Sequence, residues 1–89
     1  MIRVRITERY RKSERRVPER IRIKARDALS GLLENPQRPG LNFERLSGWD
    51  DTYSIRVTRE YRILLMRESD EEGEVLAAID IGTHRVYRR

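Results

Sequence analysis

The sequence predicts an α+β fold: an N-terminal strand and a helical hairpin packed on one face of a small antiparallel sheet of about four strands. Three observations carry this. Apolar residues alternate with polar ones over the first seven positions. The spacing then changes to that of a helix, and it returns to alternation in three runs between Tyr53 and Ile81.

In "MIRVRIT", Ile2, Val4 and Ile6 point one way and Arg3, Arg5 and Thr7 the other, the pattern of a half-buried strand. From Glu8 to Val17 the pattern is helical and polar. Pro18 suits the first turn of a second helix, where its missing N–H costs nothing. Ile21, Ala25, Ala28, Leu29, Leu32 and Leu33 then form an apolar stripe at helical spacing, ended by the two prolines and glycine of "ENPQRPG". "LNFERLSGWDD" reads as a connector plugged by Leu41, Phe43, Leu46 and Trp49. Three strands follow, Tyr53 to Thr58, Tyr61 to Arg67 and Glu74 to Ile81, joined by a tight "TRE" turn and a longer "SDEEG" turn.

Antiparallel pairing of these strands predicts a register. Ile55, Ile63 and Ile79 lie side by side on the face toward the helices, with Val57, Tyr61, Ile81, Leu65 and Ala77. Arg56, Arg62 and Asp80 fall together on the other face, beside Leu64, Met66, Leu76 and Ala78. A slip of one residue would bury the arginines, so the pattern selects against it. The Thr58–Glu60 turn and the Gly82–His84 segment then meet at one end of the sheet, and the acidic turn lies at the other. Arg56, Arg59, Arg62, His84 and Tyr87 converge although thirty residues separate the first from the last.

The 89 residues make one domain, 1–89, with no length for a second core. With 37% hydrophobic and 39% charged residues, a thin core under a charged surface is expected. The absence of cysteine excludes disulfides and thiolate metal sites. No apolar stretch approaches the roughly 20 residues of a membrane span, and nothing at the start reads as a signal peptide, so the expectation is a cytoplasmic protein. The net charge of +5 comes almost wholly from arginine, since Lys12 and Lys24 are the two lysines. The acids of the second half bunch in "ESDEEGE", which leaves the other arginines there without neutralising neighbours. Such a balance suits phosphate as a partner; the alternative is a charged face that keeps a small protein in solution.

Guanidiniums grip phosphate through paired donors and stay charged at any working pH. Imidazole exchanges protons near neutrality, and phenol donates to an oxyanion. Together they equip a site to cleave RNA with its own 2′-hydroxyl as nucleophile, without metal or cofactor. Proton transfer contributes about 10²–10⁴ in rate, and fixed cations at least as much. Each residue also has a plainer reading. Asp80 holding Arg56 and Arg62 would make a structural ion cluster. Arg59 and Glu60 at a turn would be solvated, His84 would simply end a strand, Tyr87 would cap the sheet edge, and Trp49 would plug the core.

The order of elements, with "ALSGLLENP", "GLNFERLSG", "YSIRVTREYRILL" and "VLAAIDIGTH" followed by an aromatic, resembles the RelE/ParE superfamily of type II toxin–antitoxin toxins along nearly the whole chain. The resemblance implies the RelE-like microbial RNase fold and a ribosome-dependent mRNA interferase: an endoribonuclease that cuts mRNA in the ribosomal A site and is neutralised by a cognate antitoxin. It places Arg62 on the scissile phosphate, with Arg56, His84 and Tyr87 completing the catalytic set. Arg59, Arg3, Arg5 and Arg85 are expected to bind RNA phosphates. Two other readings stand beside it, a ParE-like toxin acting on DNA gyrase and a non-catalytic domain that binds nucleic acid or a partner. The antitoxin is expected to be an acidic helix or extended segment that wraps the sheet or the hairpin and buries apolar side chains near Leu64 and Met66.

Overall fold

The computed structural model describes residues 2–87, and the side chains of all of these except Arg85 and Tyr87. The elements are β1 (Val4–Ile6), α1 (Glu8–Arg15), α2 (Glu19–Glu34), β2 (Glu44–Arg45), β3 (Thr52–Arg56), β4 (Arg62–Asp70) and β5 (Gly73–Gly82). A 3₁₀ turn, His84–Tyr87, follows β5.

Thr7 couples the first strand to the first helix. Its Oγ1 accepts from the Tyr10 N–H at 3.1 Å, capping α1, and donates to the Ala78 carbonyl of β5 at 2.7 Å. Pro18 stands one place earlier than expected, at the N-cap position of α2, with Glu19 as the first helical residue. Ile21, Ala25, Ala28 and Leu32 form the buried stripe of α2, and Asn35 ends the helix, its N–H donating to the Gly31 carbonyl at 2.8 Å.

The sheet has five strands in the order β1-β5-β4-β3-β2. Two features differ from the expected antiparallel set of about four. The connector contributes a two-residue strand, β2, paired with Tyr53 and Ser54 of β3. It is too short for any periodicity to announce it. The N-terminal strand runs parallel to β5, with Val4 opposite Leu76, so the sheet is mixed. The α+β class stands. The core lies between the two helices and one face of this sheet, where Tyr10, Ile21, Ala25, Leu32, Leu41, Ile55, Ile63 and Leu65 meet.

The register departs from simple alternation at one point. Ile55 faces Ile63 as expected, but Ile63 faces Ile81, Leu64 faces Asp80 and Leu65 faces Ala78, which leaves Ile79 as an extra residue in β5. This β-bulge reverses the alternation of the strand before it. Leu76 and Ala78 therefore join the core in place of Ala77 and Ile79. Asp80 is re-aimed as well. It accepts from Ser13 Oγ of α1 at 2.6 Å and lies 3.5 Å from Arg9, so it belongs to the α1 side and not to the arginines of the opposite face. Leu64 is fully buried, which removes it as a docking residue for a partner.

The acidic turn tightens to two residues, Glu71 and Glu72, between Asp70 and Gly73. Gly73 has φ of 115°, a conformation that only glycine adopts without strain. At the other end, Thr58 Oγ1 accepts from the N–H groups of Glu60 and Tyr61 and fixes the turn between β3 and β4.

Candidate phosphate-binding site

Arg56, Arg62 and Gly82 are direct partners across β3, β4 and β5 at the end of the sheet. The neighbouring pair Ile55 and Ile63 points into the core, and Arg56 also borders a cleft with Lys24, Asp27 and Ala28 of α2. His84 follows two residues after Gly82, exposed, as the first residue of the 3₁₀ turn. The turn is anchored by the Val86 N–H donating to the Thr83 carbonyl at 3.0 Å and by the buried Val86 side chain. That side chain sits over Gly82, where an added Cβ would lie 2.5 Å from Val86 Cγ1. Gly82 thus lets the turn fold tightly against the strand end beside Arg62.

Electrostatically this corner is cationic. Arg62 is half-buried; its Nη1 is fully buried with no hydrogen-bond partner, and the residue forms no ion pair among the described residues. A buried donor without an acceptor is costly in a resting protein. Arg56 is tied only weakly, from Nε to the Thr58 carbonyl at 3.4 Å. Asp80, the acid expected to neutralise this pair, is engaged on α1 instead.

Of the residues expected to act, the fold brings Arg56, Arg62 and the His84 turn to one end, with Arg59 exposed in the adjoining turn. The side chains of Tyr87 and Arg85 lie outside the described residues. Arg3 and Arg5 are not brought there. Arg3 makes a bidentate pair with Asp70 (2.7 and 2.9 Å), and Arg5 pairs with Glu68, both at the acidic end. The Arg3 guanidinium, with help from the Glu72 N–H, holds the Asp70 carboxyl below the ordinary carboxylate range. The parallel placement of β1 beside β5 causes this, and nothing in the local sequence signals it. Among the described residues no three His, Cys, Asp or Glu side chains are grouped to hold a metal ion, and no helix is long and apolar enough to cross a membrane.

Sequence reasoning missed the α1 side of this end. There Arg9, Lys12, Ser13 and Arg16 border an open cleft closed by Tyr61, Asp80, Thr83 and Val86. The spacing of the α1 residues, three and four apart, puts them on one helical face and was a legible signal.

Comparison with known proteins agrees with this architecture. The family model of the ParE-like toxin domain matches residues 19–89. No curated protein matches the chain. Among solved structures it is similar to the YoeB/ParE toxin from Agrobacterium tumefaciens, at 20% identity over 93% of this chain and 99% of that one, with a TM-score of 0.69. It is similar to the intact E. coli RelBE toxin–antitoxin complex at 25% identity, covering 93% and 96%, with a TM-score of 0.66. YafQ from E. coli shares 15% identity over 98% of each chain, with a TM-score of 0.72.

Proposed function

The chain belongs to the ParE-like toxin family, within the RelE/ParE superfamily of toxin–antitoxin toxins, and from that premise we propose that it is a metal-independent, ribosome-dependent mRNA endonuclease. The observation that carries the reading is the Arg62 guanidinium: half-buried, with a buried nitrogen lacking any acceptor, opposite a second arginine and two residues across from the His84 turn. A phosphodiester would meet the part of this half-buried side chain that stays accessible.

In the proposed reaction Arg62 binds the non-bridging oxygens of the scissile phosphate and Arg56 adds a second cation. A base removes the 2′-hydroxyl proton, the 2′ oxygen bonds to phosphorus, and the bond to the 5′ oxygen breaks as that oxygen takes a proton. The products are a 2′,3′-cyclic phosphate and a 5′-hydroxyl. His84 serves one of the two transfers, and Tyr87 stacks on a base or serves the other. Arg59 and Arg85 hold flanking phosphates. Fixed cations stabilise the doubly charged phosphorane more than the ground state, which is the condition for acceleration.

An antitoxin partner is proposed on the same footing, by analogy with the RelBE complex. With Leu64 buried, the hairpin offers the better surface. Ile23 is 61% and Leu33 48% exposed on α2, beside Arg20, Lys24 and Arg26, a match for an acidic amphipathic segment.

The test is mRNA cleavage on programmed ribosomes, run beside DNA gyrase supercoiling. Wild type is expected to release fragments with 5′-hydroxyl ends, and Arg62→Ala and His84→Ala to lower the rate by about 10² or more. Intact message with blocked supercoiling would replace this reading with the gyrase one.

A further inference from the structure

The cleft beside α1 has a volume of about 920 Å³ and opens at the end of the sheet that carries Arg62. Tyr61, which precedes Arg62, and Thr83, which follows Gly82, form its floor. Arg9, Lys12 and Ser13 of α1, with Arg16 at its C-cap, line it on the helix side. Two acids border it. Asp80 is already held by Ser13, by the Ile81 N–H at 2.9 Å and by Arg9, and Glu8 is exposed at the start of the helix. Lys12 and Arg16 form no ion pair among the described residues. Two cations four positions apart, without an ion pair among the described residues, thus border a cleft that also touches Gly82, the strand partner of Arg62.

We propose that this cleft is a second phosphate site, in which Lys12 and Arg16 hold the ribose–phosphate backbone of the same RNA strand that Arg62 engages. It rests on the nuclease reading above for the identity of the strand. An acidic peptide is the rival occupant. Nearness to the Arg62 rung favours RNA, because Tyr61, which precedes Arg62, and Gly82, its partner across the strands, both line the cleft, and its volume lies near the top of the about 300–1,000 Å³ range of ligand sites.

The experiment measures binding of a 2′-O-methyl single-stranded oligoribonucleotide, which cannot be cleaved, to the full chain by fluorescence anisotropy over a range of salt. The Lys12→Glu/Arg16→Glu variant is expected to bind at least about tenfold more weakly, and its log–log salt slope to fall by about 0.7 for each phosphate that is no longer neutralised. Arg11→Glu/Arg15→Glu, an equal change of charge at exposed α1 positions that do not line the cleft, is expected to stay close to wild type. Thermal melts check that both variants fold. Unchanged binding in the Lys12/Arg16 variant, or an equal loss in the Arg11/Arg15 variant, overturns the proposal. So does a variant that keeps the oligonucleotide but loses binding to poly-glutamate, since the cleft is then a protein site. Lost oligonucleotide binding in a protein whose wild type cleaves nothing on ribosomes supports the cleft and removes the nuclease reading. Intact cleavage with unaltered oligonucleotide binding does the reverse.

Discussion

Arg56 and Arg62 stand directly opposite one another on β3 and β4, two guanidiniums on one rung with no carboxylate paired to either among the described residues. Like charges in this position destabilise a sheet, and the buried Nη1 of Arg62 adds to the cost. The arrangement is reasonable for a site that an anion completes.

Replacing Arg62 with methionine keeps the apolar stem and removes the charge. The Arg62→Met variant is expected to be more stable than wild type by about 0.5–1 kcal/mol in urea denaturation. It should lose RNA cleavage at the same time. A destabilised variant would show that Arg62 contributes to the fold and not chiefly to a ligand.

Gly82→Ala places a methyl carbon 2.5 Å from Val86 Cγ1, too close for both to stay. The β-branched valine has little rotamer freedom to move aside, so the whole His84–Tyr87 turn must shift. A loss of about 1–3 kcal/mol is expected, with cleavage falling further than stability explains. Adding Val86→Ala should recover part of both. A double-mutant cycle with coupling of at least about 0.5 kcal/mol would establish the contact.

The bulge at Ile79 makes a third prediction. Ser13 Oγ donates to the buried Asp80 carboxylate at 2.6 Å, and hydrogen bonds to charged groups contribute about 1.5–3 kcal/mol. Ser13→Ala should cost that much in chemical denaturation. Ser30→Ala, at an exposed helical position, should stay within about 0.5 kcal/mol of wild type.

At the acidic end, the folded-state value for Asp70 is depressed, chiefly by Arg3. The contribution is present above the unfolded carboxylate value of about 3.9 and is lost as pH falls through the lower folded value. An NMR titration should therefore find the Asp70 midpoint below that of a free aspartate. Arg3→Ala should return it to the ordinary range and remove this part of the acid sensitivity. An unmoved midpoint would mean that the bidentate pair does not persist in solution.

Strand and helix identities were legible because each rests on local periodicity. The alternation in "MIRVRIT" and the stripe from Ile21 to Leu32 required no knowledge of the partner surface. The turn at Thr58 and the stop at "ENPQRPG" rest on equally local chemistry. The rung of Arg56 and Arg62 was legible for the same reason, since a short turn fixes hairpin register.

Tertiary structure alone decided the rest. The four residues of "LAAI" carry no polar break before Asp80, so alternation there did not locate the bulge, and a single unpaired residue exchanged Ala77 for Ala78 in the core. That residue also turned Asp80 from the arginines to α1. The parallel docking of β1 on β5 sent Arg3 and Arg5 to the acidic turn, far from the corner where their charge suggested them. Periodicity is set by each residue's own neighbours in the chain. Pairing partners, bulges and the sharing of charge are set by segments some seventy residues apart, and only the folded sheet brings those together.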